Sequence, residues 1–315
     1  MTAGVHVGNR AAIKANEPLW RHTTLHVGGP ADWFLKIGAA DGDEPLRDAL
    51  RWAHAEGIAV TVIGGGSNVL AADAGVNGLV IKLLTPRPAI HVDTNDPAAP
   101  IVTGHAGMLM SGFAEACGER GLAGLEWAVG LPGTLGGAVA NNAGAHGAEM
   151  SAAFLDATLI RYDGTPQTVT ADDMAYAYRH SAIKDGTIPG VLTTISVRLT
   201  PGDPAELRAR ATEYHDWRKT AQPQAASAGS MFQNPPGDAA GRLIEACGLK
   251  GHTIGQAQVS PVHANFIVNL GKATAAEVLA VGDHCRACVE ARFGIELHYE
   301  VQRIGRWDAR ETGKS

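Results

Sequence analysis

Residues 121–149 read GLAGLEWAVGLPGTLGGAVANNAGAHGAE, a run dense in glycine, with two adjacent asparagines and almost no charge. It is too long for one turn. Glycine is entropically costly in ordered chain, so this density belongs where backbone takes positive φ or approaches something closely. A second glycine loop, IGGGSNVL at Ile63–Leu70, directly follows the β-branched run Val60–Ile63. Either loop alone reads equally well as a tight turn. Together they point to a large ligand carrying a diphosphate, gripped by backbone N–H groups rather than by lysines.

The familiar nucleotide loops do not fit. A Walker loop needs Gly-Lys-Ser/Thr, which neither loop has, and the G-x-G-x-x-G spacing of a Rossmann turn is missing too. Residues Gly64–Asn68 follow a strand, but Leu70–Val80, with Asp73, Gly75, Asn77 and Gly78, reads as loop. The dinucleotide site expected here is of another design.

At 315 residues the chain exceeds what one core usually serves, so two or three domains are expected. A formal net charge of −6 argues against a nucleic-acid partner, which calls for a basic patch. No stretch approaches 18 apolar residues, and MTAGVHVGNRAAIK lacks an apolar signal core, so a soluble, cytoplasmic protein is expected. Of four cysteines, at 117, 247, 285 and 288, only Cys285 and Cys288 form C-x-x-C. A structural zinc site wants a second such pair. The stretch Thr274–Phe293 reads instead as a helix, with Thr274 and Glu277 as a capping box and Gly294 past its end. Val278, Val281, Cys285, Cys288 and Val289 then share one apolar stripe, so the thiols read as core and no metal is expected.

Along the chain, Leu46, Ala49, Leu50 and Ala53 give a helical period stopped at Gly57, and Val60–Ile63 and Leu79–Leu83 read as strands. A Pro- and Asp-rich link, Thr85–Pro100, leads to a strand at Ile101–Thr103 and a helix at Leu109–Arg120. Asp163-Gly164 signals a hairpin between Leu155–Arg161 and Gln167–Thr170, and Val191–Thr200 alternates as a strand. Asp203, Pro204 and Glu206 open a helix to about Lys219. Beyond it lies an α+β unit with a helix near Asp238–Cys247, a strand at Ala264–Asn269, the helix Thr274–Phe293 and a final strand Ile295–Ile304. In that strand Ile295, Leu297, Tyr299 and Val301 fall on one face, leaving Glu296, His298 and Glu300 on the other.

The blocks TTLHVGGPAD (Thr23–Asp32), GGGSN, GLPGTLGGAVANNAGAHG, SAGSMFQNP (Ser227–Pro235), AGRLIEACGLKG (Ala240–Gly251), HANFIVN (His263–Asn269) and FGIELHYEV (Phe293–Val301) occur in this order. In this the chain resembles the UDP-N-acetylenolpyruvoylglucosamine reductase family over roughly residues 18 to 305. The resemblance implies an α+β fold: a two-subdomain FAD-binding module of the PCMH/vanillyl-alcohol-oxidase-like type, plus a C-terminal α+β substrate domain. The corresponding segments are 1–85, 86–202 and 203–305, with a tail at 306–315. It implies FAD as cofactor, NADPH as hydride-donating co-substrate and a nucleotide-sugar substrate, in peptidoglycan precursor synthesis. Both substrates would use one cleft in turn. No apolar stripe is left over to fix an oligomeric state, and a monomer is compatible with the sequence.

Reducing an enolpyruvyl ether adds hydride to the terminal carbon and leaves carbanion character beside a carboxylate. The site therefore needs a cation at the carboxylate, a polarising group and a proton donor. By match to family motifs, Arg179 in YAYRHS binds the carboxylate and stabilises the enolate, and Ser230 in SAGSMFQNP delivers the proton. Glu300 in LHYEV stabilises the intermediate. Without the family, these residues read as a surface arginine at a helix end, a turn serine and a solvated carboxylate. The resemblance also assigns Gly64, Gly65, Gly66, Ser67 and Asn68 to the FAD diphosphate. Pro132, Gly133, Thr134, Gly136, Gly137, Ala138, Asn142 and Gly144 would line the flavin and ribityl region. Tyr178, Gln233 and Asn234 are expected to contact substrate.

Some positions depart from the family pattern. Gln233 stands where lysine is common, His146 where tyrosine is frequent, His298 where glutamate is frequent, and His26 where a basic residue is usual. The 51-residue interval from Arg179 to Ser230 (230 − 179) is too short for the extra substrate-covering loop of one family branch, so another group must cover the pocket. Two other readings compete: a flavin oxidase or dehydrogenase of the same FAD-binding architecture acting on a hydroxy acid or alcohol, and a flavin- or nucleotide-sugar-binding sensor with a dead site. Ser230 together with Glu300 discriminates against the first, and retention of Arg179, Ser230 and Glu300 argues against the second.

Overall fold

The computed structural model describes residues 5–7, 11–85 and 89–307; part of the Pro-rich link (86–88) and residues 308–315 of the tail lie outside the described residues. The chain forms two compact units. The first takes Met1–Lys14, Phe34–Gly65 and Gly78–Arg218, and the second takes Ala15–Trp33, Gly66–Asn77 and Lys219–Ser315.

A five-stranded sheet has the order Val5–Val7, Ala11–Pro18, Pro30–Ile37, Val76–Leu83, Val60–Ile63, the last two parallel with Val60 opposite Leu79. The helix Glu44–Ala55 turns Leu46, Ala49, Leu50 and Ala53 inward, as their spacing predicts, and Gly57 follows it at φ +64°. Residues 70–80, expected as loop, instead hold the strand Val69–Ala71 and the start of Val76–Leu83. The misleading glycine is Gly78. It sits inside the strand at φ +84°, where a Cβ would lie 2.2 Å from the Ala59 carbonyl oxygen, so it marks a close approach rather than a break.

Another sheet, within the first unit, has the order Pro166–Thr170, Phe154–Ile160, Val191–Arg198, Ile101–His105, His91–Asp93, antiparallel throughout. Its hairpin turns at Asp163-Gly164: the Asp163 carboxylate accepts from Thr165 N at 2.9 Å, and Gly164 takes φ +83°. Ala157, Leu159, Ile195, Val197 and Val102 face a core closed by Phe113, Met108, Leu135 and Val139. The helix Met110–Gly118 supplies Phe113 and Cys117 to that core and ends before Gly121 at φ +70°. The helix Pro204–Ala221 opens on Asp203, whose carboxylate accepts from Ala205 N and Glu206 N at 2.8 and 3.0 Å.

The second unit holds a four-stranded antiparallel sheet of order Ser227–Ser230, Phe266–Asn269, Ala257–Val259, Thr253–Ile254. The helices Ala240–Ala246 and Ala275–Phe293 supply Leu243, Ile244, Val278, Val281, Cys285 and Val289 to its core. Burial pushes the Cys285 thiol up to about 12, as befits a packing residue. The longer helix carries the expected capping box of Thr274 and Glu277 and ends at Gly294 in the left-handed region. Asp73, remote in sequence, caps it as well, accepting from Ala275 N and Ala276 N at 2.9 and 3.0 Å.

The expected strand Ile295–Ile304 is corrected. Only Gln302–Ile304 is a strand, parallel to Val69–Ala71, and Tyr299 makes a single bridge to Phe232. The Leu297 carbonyl takes its hydrogen bond from Arg286 Nε at 2.9 Å, so a side chain satisfies backbone that a ladder would otherwise serve. Leu297 and Val301 are nevertheless buried and His298 exposed, so the alternation is real without the ladder.

Two half-buried histidines are held as neutral rings. His105 Nδ1 accepts from Gly107 N at 3.0 Å and lies 2.9 Å from Thr85 Oγ1; burial lowers its pKa, outweighing the carboxylates of Asp43 and Asp41. His263 Nδ1 accepts from Asn265 N at 3.2 Å, and burial lowers its pKa too. With folded values depressed, the unfolded chain takes up protons first on acidification. Their contribution is therefore full above about pH 6.5 and is lost as pH falls through the depressed folded values. We expect Tm to be flat above neutrality and to fall below about pH 6.5. His105→Gln and His263→Gln together should shallow that fall; an identical pH profile in the double variant would refute the assignment.

Candidate functional site

In the first unit the two glycine loops meet. A Cβ on Gly65 would lie 2.8 Å from Gly133 Cα, and one on Gly64 would lie 2.2 Å from Thr134 Oγ1. Side-chain-free backbone is thus a condition of this contact. Gly133 itself takes φ +113°, and its carbonyl accepts from Met110 N at 3.0 Å. Thr134 is the N-cap of the short helix Leu135–Ala140, its Oγ1 accepting from Gly137 N at 3.3 Å. Gly136 packs where a Cβ would meet Ala106 Cβ at 2.9 Å, and Ala138 is buried. Pro132 is exposed beside this contact. Neither 63–70 nor 129–144 contains an acidic residue, so nothing in either loop repels an anion. Successive backbone N–H groups in loops that carry no carboxylate of their own suit a diphosphate, and the residues present fit FAD.

The same unit holds Arg179, not at a helix end but in a tight turn where Ala177 and His180 exchange hydrogen bonds at 3.3 and 3.0 Å. Its φ is +55°, in the left-handed region that a bulky residue rarely adopts. Its guanidinium donates to the carbonyls of Asn142 at 3.3 Å and Gly144 at 2.8 Å, and lies 5.0 Å from the Tyr178 ring centroid. Tyr178 is 47% exposed. Asn142 is fully buried, and its side chain is committed within the protein: Nδ2 donates to Ala177 O at 3.0 Å and Oδ1 accepts from Ser151 N at 2.9 Å. What Asn142 can offer a cofactor is therefore backbone. His146, at the next hairpin tip, stacks on Tyr214 with ring centroids 4.0 Å apart.

The second unit gathers Gly66, Ser67, Asn68, Ser230, Gln233, Asn234 and Glu300. Ser230 ends its strand opposite Phe266, and Glu300 N donates to the carbonyl of the next residue, Met231, at 2.9 Å. Gln233 N donates to His298 O at 2.9 Å, so segments 230–233 and 298–301 run side by side. Asn68 Nδ2 donates to Glu300 O at 3.2 Å, and Gln302 N donates to Asn68 O at 3.0 Å. The end of the GGGSN loop is thereby tied to the glutamate. Gly229 lies beside Ser67, its Cβ position 3.7 Å from the Ser67 carbonyl oxygen. Gly66 fits because a Cβ would lie 2.2 Å from His22 O. Asn234 is exposed, and its Oδ1 accepts from Ala240 N at 3.0 Å, opening the helix Ala240–Ala246.

Three supporting residues escaped the sequence reading. Asn265 is buried, accepts from Phe232 N at 3.0 Å and donates to Phe232 O at 2.8 Å, fixing the segment after Ser230. A polar residue inside the apolar run of HANFIVN was the available signal. Thr24 lies in TTLHVGG; its N donates to Gly66 O at 3.1 Å and its hydroxyl to Ser227 O at 2.7 Å. Lys184 donates from Nζ to the Arg179 carbonyl at 2.9 Å, and nothing in its sequence context announced it.

A sequence model described as an FAD binding domain matches residues 39–170, spanning both glycine loops. Another, described as the C-terminal domain of UDP-N-acetylenolpyruvoylglucosamine reductase, matches residues 222–304, spanning Ser230 and Glu300. The UDP-N-acetylenolpyruvoylglucosamine reductase 2 of Symbiobacterium thermophilum is 42% identical, covering 93% of this chain and 92% of its own length. The chain belongs to the UDP-N-acetylenolpyruvoylglucosamine reductase family. The reductase of Rubrobacter xylanophilus is likewise 42% identical, over 93% of this chain and 96% of its own. The crystal structure of the Thermus caldophilus reductase aligns at a TM-score of 0.77 and 32% identity, covering 94% of this chain and all of that one. The expected fold, an FAD-binding domain joined to the family's C-terminal domain, is the fold found.

The two glycine contacts separate packing from local flexibility. Gly112, within the helix Met110–Gly118, has open space at its Cβ position, whereas Gly65 does not. Gly112→Ala should raise stability by about 0.5–1 kcal/mol with flavin content unchanged. Gly65→Ala should lower Tm and reduce bound FAD, read as the flavin-to-protein absorbance ratio. Full flavin occupancy in Gly65→Ala would contradict the close-approach argument.

Proposed function

We infer that this protein is an FAD-dependent UDP-N-acetylmuramate dehydrogenase. It reduces UDP-N-acetylglucosamine enolpyruvate with NADPH to give UDP-N-acetylmuramate in peptidoglycan precursor synthesis. The observation that carries this is the pairing, on one chain, of an FAD binding domain at 39–170 with the reductase's own C-terminal domain at 222–304.

Bound FAD would supply the hydride chemistry between NADPH and C3 of the enolpyruvyl group. Gly64, Gly65, Gly66, Ser67 and Asn68 would hold its diphosphate with backbone N–H groups. Pro132, Gly133, Thr134, Gly136, Gly137, Ala138, Asn142 and Gly144 would line the flavin and ribityl chain. Arg179 binds the substrate carboxylate, where its planar, permanently charged fork stabilises the enolate as negative charge builds. The Ser230 hydroxyl gives its proton to C2 and recovers one from solvent. Glu300 stabilises the same intermediate. Tyr178, Gln233 and Asn234 contact the nucleotide sugar; Gln233, uncharged where lysine is common, binds by hydrogen bonding alone.

The segments 1–85 and 86–202 serve as the two FAD-binding subdomains and 203–305 as the substrate domain. The short Arg179–Ser230 interval supports the branch without the extra covering loop. Among the described residues no helix is long and apolar enough to cross a membrane. Both substrates are charged nucleotides of the cell interior, which supports action in the cytoplasm, and a monomer would suffice for the reaction.

Anaerobic flavin spectroscopy tests this reading. NADPH should bleach the oxidised-flavin band, and the enolpyruvyl substrate should restore it without oxygen. Arg179→Ala and Ser230→Ala should each slow that restoration by roughly 100-fold or more while leaving the bleaching step unchanged. A protein that is bleached but recovers only with air would be an oxidase of the same architecture.

A further inference from the structure

Arg179 is held at both ends. Its head is fixed by the carbonyls of Asn142 and Gly144, at 3.3 and 2.8 Å. Its own carbonyl accepts from Lys184 Nζ at 2.9 Å. Between these lies a residue with φ +55° at the corner of a turn closed by Ala177 and His180. A non-glycine residue stays in this region only where its surroundings over-determine it, and such strain concentrates at functional sites.

The surroundings do so here through a small zipper of side chains on backbone. Ser181 is fully buried; its hydroxyl donates to Ala140 O at 2.5 Å and accepts from Lys184 N at 3.2 Å. Asn142 Nδ2 donates to Ala177 O at 3.0 Å. The segment 140–144, which leaves the helix Leu135–Ala140, and the turn of residues 177–184 therefore define each other, and Lys184 closes the circuit onto Arg179 itself. The Lys184 ammonium thereby fixes the backbone of the very residue whose guanidinium carries the charge.

We propose that Lys184 is a positioning residue for the reduction, its ammonium holding the Arg179 carbonyl so that the left-handed turn aims the guanidinium at the substrate carboxylate. This rests on the reading of Arg179 given above. In this role it acts through Arg179.

The holoenzyme variants Lys184→Met, Lys184→Gln and Lys184→Arg, with Arg179→Ala in parallel, test it by anaerobic stopped flow. Lys184→Met and Lys184→Gln should keep flavin content and the rate of bleaching by NADPH. Both should slow reoxidation by the enolpyruvyl substrate by roughly 10- to 100-fold and raise its KM. Lys184→Arg, which keeps a charged donor, should recover part of the rate. If Arg179→Ala slows reoxidation but folded Lys184→Met or Lys184→Gln matches the parent, the positioning role is wrong and the function stands. Loss of flavin or of the NADPH step in both neutral variants would mean a general structural role and overturn the proposal. If Arg179→Ala itself reoxidises normally, the reading of Arg179 fails and takes this proposal with it.

Discussion

The approach of Gly64 and Gly65 to Gly133 and Thr134 is the constraint on which the cofactor half of the protein depends. The separation leaves no room for a Cβ, since one on Gly65 would stand 2.8 Å from Gly133 Cα. Two loops about 70 residues apart in sequence can come this close only because Gly64 and Gly65 carry no side chain. What surrounds the contact serves to keep it. The strand Val60–Ile63 delivers one loop, and the bonds from Met110 N to Gly133 O and from Leu135 N to Met108 O deliver the other. The glycine content that first marks this sequence is therefore a packing requirement before it is a binding one.

Arg179 follows from the same segment. Its guanidinium rests on carbonyls of residues 142 and 144, so the glycine-rich stretch proposed to line the cofactor also orients the cation assigned to the substrate. Carbonyl acceptors suit this task. The two carbonyls hold the fork in place and themselves bring no formal countercharge to it. In the second unit the same economy joins Ser230 to Glu300, whose backbones are one hydrogen bond apart through Met231, with Asn68 bonded to the glutamate's carbonyl.

The fold was legible wherever period and punctuation agreed. The helix Ala275–Phe293 carries its capping box and terminal glycine in plain sequence, and the Asp163-Gly164 hairpin is as its turn chemistry demands. It was misread where one residue type serves two purposes. Gly78 lies within a strand because the Ala59 carbonyl oxygen passes where its Cβ would be, and a glycine of that kind cannot be told from a loop glycine without its neighbour. The run 295–301 alternates without forming a strand because Arg286, eleven residues before Leu297, takes a carbonyl that would otherwise call for a partner strand. Alternation reports a buried face; only a pairing partner makes it a ladder.

The candidate site divides along the same line. Arg179, Ser230 and Glu300 were found through motif resemblance, which reads side-chain identity, and each sits in a constrained backbone environment that identity alone does not disclose. The residues that impose those environments act on main-chain atoms: Lys184 on the Arg179 carbonyl, Asn142 on that of Ala177, Asn265 on both backbone groups of Phe232. A side chain that serves a backbone atom leaves no period, charge pattern or paired type in the sequence. It becomes visible only when the turn it holds is seen to be one that its central residue would otherwise leave. For Arg179 that turn is at φ +55°, and the strain there is itself the reason to look for what maintains it.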